Sequence, residues 1–205
     1  MCCPDSDRRL EMHDDLETYL LLLLSDSNLP TGSFVASAGL ESYVKHGFPP
    51  PPVPSASEST IDFIRDSLAS YARSALPFVT DAHRSVERFL LDDNWEKEGY
   101  KKLRDVLHIL IELDDLYQAM TLNHVARRAS TSQGVALLTL FSKGFSRPPF
   151  FTEFPVVGSL YRESQVAKLI DEFKVKIRKE EVPGHLPICW GILTAALGLK
   201  LGSSS

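Results

Sequence analysis

Acid–base chemistry needs carboxylates, histidines or thiols that converge, and the densest such group here is Glu112, Asp114, Asp115, Asn123 and His124. All five fall on one predicted helix. On a helical wheel His124 lies near the middle of that helix's apolar stripe, and Asp114 and Asn123 near its opposite edges. One helix cannot aim such groups at a single reacting atom, so the spacing reads as polar groups at a helix–helix or subunit boundary. His185 and Cys189 stand at i, i+4, a separation that suits two soft-metal ligands on one helix face. Pro187 between them marks a helix start, which weakens the common face. Cys189 then reads by default as a small buried hydrophobe.

The other reactive residues give less. The six histidines, at 13, 46, 83, 108, 124 and 185, include no two at i, i+3 or i, i+4, and no Glu-x-x-His pair occurs. Cys2 and Cys3 are adjacent near the amino end and no Cys-x-x-Cys exists, so a disulfide framework is not expected and a metal role for that pair is the lesser reading. Phosphate-loop, dinucleotide and nucleophile-elbow motifs are missing. Pro30-Thr31-Gly32-Ser33 has no lysine after it and reads as a helix-breaking turn. No catalytic residue, metal ligand or cofactor is assigned, and a helical enzyme with a metal at Asp114, His124 or His185 stands as one alternative.

The elements that would position these residues are helical. The chain has 205 residues, 43% apolar and 24% charged, which suits a folded core. A net charge of −5 argues against nucleic acid as a partner. The basic pair Arg127–Arg128 and the cluster Lys174, Lys176, Arg178 and Lys179, hemmed in by acidic neighbours, read as solvated faces. No secretory leader is recognisable, and Leu20–Leu24 and Ile188–Leu199 are too short to span a membrane. A cytoplasmic protein is expected.

Apolar residues recur at three- and four-residue intervals throughout. Helices are predicted from Asp14 or Asp15 to about Asp26, from Phe34 to Lys45, and from a Ser59 N-cap through Ile61, Ile64, Leu68, Tyr71 and Ala75. Pro77 is expected to interrupt that last helix, with a further helix through Phe78, Ala82, Val86 and Phe89. The longest pattern covers 96–129, with Val106, Leu110, Leu113, Tyr117, Met120 and His124 on its stripe. A short helix over 131–141, a loop over 143–160, and a helix through Val166, Leu169, Phe173 and Ile177 follow. The last helix starts at Pro187 and is apolar on nearly every side, with Gly191, Ala195 and Gly198 small enough for close helix approach. The fold class is all-α, a single-domain bundle of about seven to nine helices. Residues 1–13 read as a disordered tail and 14–205 as the domain, with a Pro-rich loop at 47–57.

Three segments resemble one known family. LLLLLSDSNLPTGSFVASAGLESYV (20–44) resembles the amino-terminal signature of the urease accessory protein F family, through Leu29, Pro30, Gly32, Ser33, Phe34, Gly39, Leu40 and Glu41. ELDDLYQAMTLNHVARRASTSQGVALL (112–138) is similar to the family's central helix. GHLPICWGILTAALGL (184–199) looks like its His-x-Pro…Gly…Ala-Ala-x-Gly helix, through His185, Pro187, Gly191 and Gly198. The resemblance implies an all-helical, cytoplasmic, non-catalytic protein that tends to form a homodimer. It implies a complex with the D (or H) accessory component, which recruits the nickel-carrying GTPase, the G component, to apo-urease and promotes nickel insertion. Nickel is then handled by the complex, and direct binding by this chain is not implied. Phe34, Glu41 and Tyr43 are the expected partner-facing residues, with Asn123, Arg127 and Arg128 beside them. A generic helical adaptor with no nickel connection is the second alternative.

One departure carries an expectation. Members of the family generally continue past the Ala-Ala-x-Gly helix, whereas this sequence ends at Leu201-Gly-Ser-Ser-Ser. The apolar helix from Pro187 is therefore expected to lack the neighbours it would normally have, so that either a partner covers it or this is a shortened product, with reduced solubility when expressed alone.

Overall fold

The computed structural model describes residues 15, 17–24, 39–46, 56–91, 95–145 and 157–201. Among them the chain is all-α: a helix over residues 17–24 (α1), Leu40–His46 (α2), Ala56–Leu91 (α3), Trp95–Met120 (α4), His124–Leu140 (α5), Val157–Arg178 (α6) and Leu186–Ala196 (α7). A π-helical turn, Phe141–Phe145, extends α5. No strand occurs among the described residues.

Helix α3 corrects two expectations. It begins at Ala56, inside the predicted Pro-rich loop, so Ser59 is an interior, buried residue and not the N-cap. It also runs unbroken through Pro77 for 36 residues, about 54 Å at 1.5 Å per residue. Proline costs one backbone hydrogen bond. Here Ala75 and Phe78 on either side are buried, and their packing holds the helix together.

The predicted 96–129 helix is two helices. Residues 121–123 separate α4 from α5, and Asn123 Oδ1 accepts hydrogen bonds from the amides of Val125 (2.9 Å) and Ala126 (3.4 Å). Asn at an N-cap stabilises a helix start by satisfying amides that have no intrahelical acceptor. Arg127 Nε donates to Thr121 O and closes the corner. The predicted short helix over 131–141 is the continuation of α5.

Helix α7 reverses the expectation that it would lie uncovered. Pro187, Ile188, Cys189, Gly191, Ile192, Leu193 and Ala195 are all buried within this chain. The helix packs chiefly against α3 and α5. At Gly191 a Cβ atom would lie 2.6 Å from Val79 O and 2.7 Å from Ala82 Cβ, so the missing side chain lets the α7 and α3 backbones touch. Gly198 plays a different part from the close approach expected of it. Its φ of +71° lets its amide bond Ala195 O while the Leu199 amide bonds Thr194 O, which ends the helix in a Schellman turn.

Apolar surface is left open on α3 instead. Its seam residues Ala75, Phe78, Ala82, Val86 and Phe89 are buried, but Ile61, Ile64, Leu68 and Tyr71, on the same 3-4-3 spacing, are exposed. Leu68 keeps 66% of its surface. Along this half of α3, Phe63 turns to α2, stacking on Tyr43 at 4.6 Å.

Candidate functional site

Side chains from α4 and α5 converge on the start of α7 in a buried polar knot. Gly184, with φ +77°, turns the chain out of the α6–α7 connection so that its amide and the next two point inward together. Asp114 of α4 meets them: Oδ2 accepts from Gly184 N at 2.6 Å and Oδ1 from His185 N at 2.8 Å. Ser130 Oγ of α5 accepts from Leu186 N at 3.1 Å. Pro187 follows and has no amide to satisfy. His185 occupies the N-cap position, but its own side chain makes no capping bond. Asp114 and Ser130 therefore cap α7 from other helices, and the carboxylate's charge suits the positive end of the helix dipole.

His185 Nε2 lies 2.6 Å from Gln118 Oε1. An amide oxygen only accepts, so Nε2 carries the proton and donates, which leaves Nδ1 bare. That buried Nδ1 has no hydrogen-bond partner among the described residues. The ring packs edge-on against Tyr117 at 5.0 Å, and Tyr117 in turn meets Phe78 of α3 at 5.1 Å. Cys189 Sγ bonds Gly184 O at 3.6 Å. At Gly134 of α5 a Cβ would lie 2.2 Å from Gly184 O, so α5 crosses the turn in backbone contact.

Burial sets the electrostatics. Asp114 is pushed up to about 6, because desolvation outweighs the two amide hydrogen bonds that favour the carboxylate; the charge of Asp115 adds to the rise. His185 is pushed down to about 4, first by burial and then by the positive charge of Arg127. The Cys189 thiol is raised by burial and by Asp114. A second buried histidine, His83, bonds Thr194 Oγ1 through Nδ1 at 2.9 Å. Thr194 turns its own proton to the carbonyls of Trp190 and Gly191, so His83 donates. Both oxygens of Asp114 are taken by backbone amides, so the knot is built to hold α7. Among the described residues no three His, Cys, Asp or Glu side chains group to hold a metal.

The structure scatters the other residues singled out from the sequence. Leu29, Pro30, Gly32, Ser33 and Phe34 lie outside the described residues. Gly39, with φ +93°, starts α2 and lies against the Phe63 ring. Glu41 is exposed, and Tyr43 packs on α3. Asn123 and Arg127 build the α4–α5 corner; Arg128 is exposed beside it, as is His124. Of the described ones, His185, Pro187 and Gly191 come together along the start and middle of α7. Sequence reasoning missed Gln118 and Ser130, and the close approach at Gly134. It also put Asp114 at the edge of a stripe through Leu113. Leu103, Val106, Leu110, Asp114 and Tyr117 form the buried seam, at 3-4-4-3 spacing that could have placed the carboxylate on it.

Fold and knot together define an all-α protein whose interior polar groups dock one helix against three others. Comparison with known sequences gives its family. The family described as UreF matches residues 55–204. The chain is 37% identical to urease accessory protein 6 of Cryptococcus neoformans var. grubii, over 90% of this chain and 64% of that protein. It is 30% identical to an uncharacterized UreF-like urease accessory protein of Schizosaccharomyces pombe, over 90% of this chain and 63% of that protein. Urease accessory protein F of Oryza sativa subsp. indica is 32% identical over 60% of this chain and 38% of its own length. No solved structure matches. The chain belongs to the urease accessory protein F family, and it spans just under two thirds of the length of the two fungal relatives.

Proposed function

We propose that this chain is a non-catalytic scaffold in urease maturation. With the D (or H) accessory component it recruits the nickel-carrying GTPase, the G component, to apo-urease and promotes nickel insertion into the urease active site. In this reading the chain works in the cytoplasm, as a homodimer, and nickel passes through the complex as cargo. Its effect on the GTPase is differential binding, one state being held more tightly than another. The observation that carries the reading is the family match over 55–204, which takes in α3 to α7 and the whole α7 knot. The structure supports it in one respect: the buried Asp114 carboxylate is spent on holding α7, which suits a rigid binding body better than acid–base work. No helix among the described residues is long and apolar enough to cross a membrane.

The test is reconstitution. Apo-urease, the D and G components, nickel, bicarbonate and GTP are combined with and without this chain, and urease activity is followed. The proposal expects activation that depends on the chain and rises with its concentration until stoichiometric. Activation of equal rate and extent without it would overturn the proposal.

A further inference from the structure

We draw no further inference here: the strongest candidate, the exposed apolar stripe of Ile61, Ile64, Leu68 and Tyr71 on the first half of α3, carries nothing because nothing in the structure shows what covers it.

Discussion

Asp114 accepts two of the three side-chain hydrogen bonds to the amides that open α7. Truncation to alanine strands two buried amides, each worth about 1–3 kcal/mol when left unpaired. Asp114→Ala is therefore expected to lose about 3 kcal/mol of stability in urea unfolding, far more than Asp115→Ala on the exposed side of α4. The knot also has a pH signature. The folded state holds the Asp114 proton up to about 6, against an ordinary 3.8, so that group favours folding at low pH and its contribution is lost as pH rises from about 4 to 6. His185 runs the other way: its folded value of about 4 lies below the ordinary 6.5, so its contribution is present at neutral pH and lost on acidification through that window. His83, also lowered by burial, adds to the acid side. The Asp114 and His185 slopes oppose each other between about pH 4 and 6. Asp114→Asn removes one of them, so unfolding curves of that variant should show a steeper fall from pH 6.5 to 4.5 than the wild type shows. His185→Gln should flatten or reverse the fall. Parallel pH profiles for all three proteins would contradict the assignment. A smaller test lies at the end of α6, where Glu180 holds φ +59° in a Schellman turn braced by Lys176 and Glu181 at 3.0 Å. Left-handed backbone costs a non-glycine residue about 1 kcal/mol, so Glu180→Gly should raise stability by roughly that amount.

At the scale of elements, periodicity alone located most of the helices, because burial of one face demands 3.6-residue spacing whatever the neighbours are. It failed where tertiary context decides. Pro77 should end a helix by propensity, yet core packing on both sides carries α3 through it. Asn123 lay on an apparently continuous pattern, and only its capping bonds show that α4 and α5 part there. Asp114 looked peripheral because a carboxylate on a buried seam makes sense only once the amides of Gly184 and His185, some seventy residues away, are brought to it. Helix α7 is expected to lie uncovered for want of following helices, but the neighbours that bury it, α3 and α5, precede it and cannot be identified from spacing. Of the residues that form the knot, His185, Pro187 and the Gly134 of the Gln-Gly stretch fall in the segments that carry the family resemblance, whereas the side-chain role of Gln118 and Ser130 has no local signal that separates them from ordinary helix residues. The division of α3 into buried and open halves is testable. Phe78→Ala should cost about 3–5 kcal/mol, while Leu68→Lys should change stability by no more than about 0.5 kcal/mol. Gly191→Ala forces a methyl into the α3 backbone and should lose about 1–3 kcal/mol. A large loss from Leu68→Lys would show that the first half of α3 is covered in solution.

For the whole molecule, the arrangement has one consistent logic. The most apolar helix, α7, sits at the centre, fastened at its start by Asp114 and Ser130, in its middle by contact with α3, and near its end by Glu17 Oε1, which accepts from Lys200 N at 2.9 Å. The buried Asp114, Ser130, His185 and His83 serve that fastening, and under the proposed scaffold role recognition would fall to outer faces such as those of α2, α3 and the α4–α5 corner. Glu41 and Arg128 are exposed there, and neither is needed for the core. Replacing either by alanine should leave the unfolding midpoint unchanged, so a loss of partner binding in these variants would report on the surface and not on the fold.

The most direct measurement is co-elution of the purified chain with the D component, followed by addition of the G component with GTP, read by size-exclusion chromatography with light scattering. The scaffold account predicts a binary complex first and a larger GTP-dependent one second, with Asp114→Ala reducing both through loss of folded protein. A folded, monodisperse chain that binds neither component at tens of micromolar would contradict it.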